Sequence, residues 1–225
     1  SVGTSAFSMN VLDAPLKEVH RDIDVVTTPD GAPVAMVHAN NCSSDLNAWI
    51  GMFGEFAELI GHGQTPAKLY RTLFEVSHRD AGGLLNYSCL SGENITKVET
   101  GRPLFVRTPH SHMNLANFML AQLYGCFAPL KIGMDILVKE EGVQTDVMIA
   151  QGGLFKTPVI GQQVLADCLG LPITVMETAG EGGPWGMAVL AVFAKWHSSK
   201  ALADFLDDDV FHNPESSTLL PTEAG

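Results

Sequence analysis

The stretch Gln151-Gly-Gly-Leu-Phe-Lys-Thr-Pro-Val-Ile-Gly-Gln-Gln-Val-Leu-Ala-Asp-Cys-Leu-Gly-Leu-Pro172 reads as a strand end, a glycine turn, a helix and the entry to a second strand. Ahead of it, Asp146-Val-Met-Ile-Ala150 is a short apolar run that suits a buried strand. Gly152 and Gly153 carry no side chains, so the backbone can turn sharply there and a flat ligand can approach it. Thr157 is placed to cap the following helix, and Pro158 suits that helix's first turn. Gly170 fits the position just past the helix end, and Pro172 stops any continuation. A glycine turn at the carboxyl end of a strand, facing a helix N-terminus, is where open α/β sheets place ligands. The run is not a Walker A loop, because Phe155 and not glycine precedes Lys156.

The chain has 225 residues, enough for a single domain with a substantial core. Hydrophobic residues make up 46% and charged residues 17%, which excludes a disordered chain. A formal net charge of −12 argues against a nucleic-acid surface, which needs clustered Lys and Arg. It does not exclude a nucleotide, since glycine loops bind phosphate through backbone N–H groups. No run reaches the roughly 18 uninterrupted apolar residues of a membrane span, so no membrane partner is expected. Cys42, Cys89, Cys126 and Cys168 lack metal-ligand spacing and read as small buried residues of a cytoplasmic protein. His110 and His112 have no Cys or carboxylate at ligand spacing, so no metal site is expected from side chains.

Along the chain, Ala6 to Leu12 alternates, with Phe7, Met9 and Val11 expected on the buried face of a strand. Val19 to Thr28 is the expected partner, and Pro33 to His38 a third strand after the turn Pro29-Asp30-Gly31. Ser44 and Asp45 are candidate caps for a helix that ends near Gly61, and Thr65-Pro66 opens another. A long helix is expected from about Asn114 to about Glu141 on its apolar spacing of three and four. Gly186 to Trp196 is apolar on nearly every side, the pattern of a helix buried all round. Three meandering strands followed by alternating helices and strands predict a layered α/β domain of the ribonuclease H-like kind, a mixed sheet with helices on both faces.

Four pieces of the sequence, in order, resemble the C-terminal half of the FGGY carbohydrate kinases, sugar kinases of the actin-like ATPase superfamily. The adenosine-binding loop of that family is similar to Gly152, Gly153, Lys156, Thr157 and Pro158, followed by Gln162 or Gln163, Ala166, Asp167, Gly170 and Pro172. A second piece is Glu177-Thr-Ala-Gly-Glu-Gly-Gly-Pro-Trp-Gly-Met-Ala-Val-Leu-Ala191. A third, Val2-Gly-Thr-Ser5, resembles the family's second phosphate loop, and a weaker fourth is Cys89-Leu-Ser-Gly-Glu-Asn94.

The resemblance implies a kinase that transfers the γ-phosphate of ATP to a sugar or polyol, a ketopentose such as xylulose or ribulose being the family's suggestion. ATP and Mg2+ follow from that chemistry. Gly3, Thr4 and Ser5 are then expected at the phosphates, and Gly152, Gly153 and Thr157 at the adenosine. The segment Gly180 to Gly183 is expected either to pack beside base or ribose, because the Glu181 carboxylate would repel phosphate, or to form a tight contact between helices. The whole of residues 1–225 reads as the C-terminal nucleotide-binding domain of a two-domain kinase, with about 206–225 a tail. Its expected partners are an N-terminal sugar-binding domain of the same chain and the sugar itself, and a homodimer is compatible. The general base, an Asp in the family, matches no segment here, so this chain alone is expected to be inactive. The rival readings are another actin-like ATPase and a non-catalytic nucleotide-binding regulatory module.

Overall fold

A tight turn opens the chain and leads into an antiparallel sheet of three strands, β1 (Ala6–Val11), β2 (Ile23–Thr27) and β3 (Pro33–Ala39). This computed structural model describes residues 1–76, 80–157, 159–196, 200–212 and 215–222. β3 lies in the middle, with Val37 opposite both Ser8 of β1 and Ile23 of β2. The Val19 to Thr28 segment therefore pairs with β3 and not with β1, and the three strands do not follow one another in the order of the sequence.

The face expected from alternation is reversed in β1. Ala6, Ser8 and Asn10 are buried, whereas Met9 and Val11 are exposed. The cause is the closeness of a helix, α3 (Leu115–Asp135), to the sheet. Ser8 Oγ donates to Met134 Sδ at 3.1 Å, and a Cβ on Gly133 would overlap the side chain of Val37. Only small side chains fit that gap, and the polar ones are satisfied there. Asn10 Nδ2 donates to Ser8 Oγ at 3.2 Å and to the Ala35 carbonyl at 3.3 Å.

Between β3 and α3 lie α1 (Ser43–Leu59), α2 (Pro66–Glu75) and a two-stranded hairpin of β4 (Leu85–Tyr87) and β5 (Leu104–Val106). Thr65 caps α2 as expected, accepting from Lys68 N at 3.4 Å, with Pro66 at its first position. α1 starts at Ser43 with no side-chain cap; Asp45 lies buried in its first turn. Asn114 caps α3, which runs on as a π-helical segment, Ile136–Glu141. Its own Leu120, Leu123 and Phe127 are fully buried, as is Phe74 of α2. Each such side chain contributes on the order of 1.5–3 kcal/mol.

The second sheet holds β6 (Met148–Ala150) parallel to β7 (Ile173–Met176), with β8 (Ser216–Leu219) antiparallel on the outer side of β7. The parallel pair is joined through α4 (Ile160–Leu169), which ends at Gly170 in the left-handed conformation, as expected. α5 (Gly182–Trp196) differs from expectation, because none of its described side chains is buried. Two of its aromatic residues pack on the segment that follows it. Trp185 meets Phe211, and Phe193 meets Phe205 of α6 (Leu202–Phe205). Among the described residues, no helix is long and apolar enough to cross a membrane.

Candidate functional site

The two glycine motifs, far apart in the sequence, are hydrogen-bonded to each other. Val2 forms a parallel bridge with Gly152, its N–H donating to the Gln151 carbonyl at 2.8 Å. Val2 also bridges to Ala6, so Gly3, Thr4 and Ser5 form the tip of a tight hairpin. The hairpin is held from outside by the start of α1. Cys42 N–H donates to the Thr4 carbonyl at 2.9 Å, and Ser43 N–H and Oγ donate to the Gly3 carbonyl at 3.1 and 2.6 Å.

The two glycines of the later motif differ. Gly152 has a φ of +123°, a region that disfavours other residues, and a Cβ there would overlap the Val2 carbonyl oxygen. Its lack of a side chain is what lets the strand end lie against Val2. A Cβ on Gly153 meets nothing within 4 Å. That side of the turn is open.

The open side leads into a cavity of about 360 Å³. Gly3, Gly153, Lys156 and Thr157 line it, so three of the six site residues named from the sequence meet there. Thr4 and Ser5 stand at the hairpin tip without lining it, and Gly152 is turned toward Val2. Val2 and Leu154 of the two motifs also line it, and the rest of the wall comes from residues that the motifs do not contain: Ser43 and Asn47 of α1, and Ala67, Tyr70 and Arg71 of α2. Tyr70 OH donates to Asn47 Oδ1, which ties the two helices together across the cavity wall. Burial of the Tyr70 ring pushes its hydroxyl pKa up, so it remains a neutral donor. Arg71 supplies a permanent positive charge suited to phosphate.

Thr157 does not cap the next helix. A 3-10 turn, Gly153–Lys156, intervenes, Thr157 is extended, and α4 begins at Ile160 with no side-chain cap. Pro158 lies outside the described residues. The intervening turn leaves the Thr157 side chain beside the cavity instead of committed to the helix.

Gly180 and Gly182 meet protein, not open space. A Cβ on Gly180 would press on the Lys156 stem, and one on Gly182 would overlap the Gln151 side chain. Gly152 N–H donates to the Ala179 carbonyl at 2.8 Å, so this segment braces the glycine turn from behind. The Glu181 side chain lies outside the described residues. A larger cleft of about 1010 Å³ shares Lys156 and Thr157 but also carries the carboxylates of Glu177 and Glu215. Those charges oppose a phosphate, so the smaller cavity is the better anion site.

Comparison with known proteins agrees with the resemblance of the motifs. The family model for the FGGY family of carbohydrate kinases, C-terminal domain, matches residues 1–195. No curated protein sequence matches the chain. Among solved structures, the xylulose kinase from Bifidobacterium adolescentis superposes with a TM-score of 0.66 at 18% identity, over 100% of this chain and 41% of that one. The gluconate kinase from Lactobacillus acidophilus gives 0.66 at 16%, over 98% and 42%. The Plasmodium falciparum glycerol kinase, solved with ADP, gives 0.67 at 15%, over 98% and 42%. These likenesses show the fold, a mixed α/β domain of the actin-like ATPase type. The chain spans about two fifths of the length of each of those kinases. With the motifs, the fold and a family match over most of its length all in agreement, this chain belongs to the FGGY family of carbohydrate kinases, as a C-terminal domain.

Proposed function

We propose that this chain is the nucleotide-binding half of a two-domain kinase that transfers the γ-phosphate of ATP to a hydroxyl of a sugar or polyol. The observation that carries the reading is the bridge between Val2 and Gly152, which sets Gly3 and Gly153 on the wall of one cavity. In this reading, Gly153 and Thr157 hold the adenosine, and Gly152 keeps their turn against Val2. The backbone and hydroxyl donors of Thr4 and Ser5 meet the phosphates, while Gly3, its N–H donating to the Ser5 carbonyl at 2.8 Å, lets the hairpin tip approach them, and Arg71 adds positive charge. ATP supplies the phosphoryl group. Mg2+ would accompany the ATP, held chiefly by the phosphates and water and neutralising charge on the transferring group. The general base and the sugar pocket are assigned to an N-terminal domain.

The test is calorimetric titration of the full-length protein with a non-hydrolysable ATP analogue. Gly153→Val, confirmed folded by its thermal melt, is expected to bind at least about tenfold more weakly, because its side chain occupies the open side of the turn. Equal affinity in a folded variant would remove the adenosine from this cavity. A panel of acceptors, with xylulose and ribulose first, then identifies the sugar.

A further inference from the structure

Glu93 is 1% exposed, and its carboxylate meets four N–H donors. Oε1 accepts from Asn40 N at 3.3 Å and Ile95 N at 3.4 Å; Oε2 accepts from Asn41 N at 3.2 Å and Asn41 Nδ2 at 3.0 Å. Asn41 completes the knot, its Nδ2 also donating to the Gly92 carbonyl and its Oδ1 accepting from Ser91 N at 2.8 Å. The next two residues along the chain, Cys42 and Ser43, are those whose N–H groups hold the Thr4 and Gly3 carbonyls. A continuous path of hydrogen bonds and one short run of backbone therefore joins Glu93 to the hairpin.

We propose that Glu93 is the positioning residue of the Gly3–Ser5 hairpin, acting through the turn at residues 40–43. This inference rests on the nucleotide reading above. A carboxylate suits the place because it alone accepts at both oxygens and presents no proton to a ring of donors. The amide of Gln would turn its NH2 toward two of them. The hairpin is short, and Cys42 and Ser43 grip its carbonyls, so a shift of the turn moves the hairpin with it. Donors aimed at a transferring phosphoryl group lose most of their effect when misplaced by about 1 Å, a displacement that costs on the order of a hundredfold in rate.

The experiment compares Glu93→Gln with the parent in the full-length protein, by hydrogen exchange at the Cys42 and Ser43 amides and by steady-state kinetics with ATP and the acceptor sugar. We expect exchange at those two amides to accelerate at least about tenfold. Turnover should fall about ten- to a hundredfold, with the KM for the sugar within about twofold. Unchanged exchange at Cys42 and Ser43 in a folded variant would overturn the proposal whatever happens to turnover. Faster exchange with full turnover would instead overturn the phosphate role of the hairpin, and with it the functional part of the proposal. That outcome is separate from the Gly153→Val titration, which tests the adenosine end alone. If Glu93→Gln does not fold, Glu93→Asp keeps the charge but withdraws it by one methylene, and the same two measurements decide with smaller expected changes.

Discussion

A methyl group placed on Gly152 meets the backbone of Val2, and the φ of +123° adds strain of its own, whereas the same methyl on Gly153 meets open space. Gly152→Ala is therefore expected to lose about 2–3 kcal/mol of stability. For a chain of this size that is a fall of roughly 5–10 °C in Tm. Gly153→Ala is expected to leave stability within about 0.5 kcal/mol while weakening nucleotide binding. Parallel melts and titrations check both, and a reversed pattern would show that the two positions have been assigned the wrong way round. At the hairpin, Thr4→Val is expected to raise the turnover barrier by about 2–4 kcal/mol with little change in ATP affinity, as steady-state kinetics would show. The Gly-Gly pair itself was legible in the sequence. Which glycine faces protein was not, because the group that decides it, the Val2 carbonyl, belongs to the far end of the chain. Ser43, Asn47, Tyr70 and Arg71 left no local signal either, since only the packing of α1 on α2 brings them to one wall.

Elements show the same division between local and distant causes. The start of α2 and the end of α4 were legible because Thr65, Pro66 and Gly170 act on their own backbone. The start of α4 and the buried face of β1 were not. The first depends on a 3-10 turn pressed against the 177–182 segment, and the second on how closely α3 approaches the sheet. A further long-range tie closes the π-helical end of α3. Glu141 accepts from Lys17 N at 2.6 Å, from Glu18 N at 3.2 Å and from His20 Nε2 at 2.5 Å, fastening the loop between β1 and β2. The His20 contact, followed by the Lys17 and Glu18 amides, holds the Glu141 carboxyl below the ordinary glutamate range. Its folded value being depressed, the stabilisation is present above the unfolded glutamate range and is lost as pH falls through the folded value. Glu141→Gln is thus expected to melt below the parent near neutral pH, with the two curves converging as the solution is acidified from about pH 7 to about pH 3. A constant gap across that range would show that the carboxylate charge is not what matters.

At the scale of the whole molecule, the fold class was legible because four motifs in fixed order carry it, and the family match spans residues 1–195. The exposure of α5, with Met187 and Trp196 largely in solvent, was not legible, because periodicity reports what a helix could bury and not what lies beside it. The proposed division of labour leads to a prediction for the isolated chain. Without a base and a sugar pocket, each of which contributes orders of magnitude in rate, it should release no ADP in a sugar-dependent manner. A coupled assay against pentoses and polyols checks this, and robust turnover by residues 1–225 alone would end the two-domain reading.

The bridge between Val2 and Gly152 also bears on how the protein is made. The ribosome releases the hairpin segment long before the strand that receives it, so the contact closes one of the longest loops in the chain. Contacts of that separation form late and slowly, after the loop-closure entropy has been met. Until then, Gly3 and Gly153 belong to separate, unfinished surfaces. Nucleotide affinity should consequently be among the last properties to appear during refolding, trailing the recovery of helical signal from α3. A ligand that recognises only the closed bridge would then draw the final step forward by mass action.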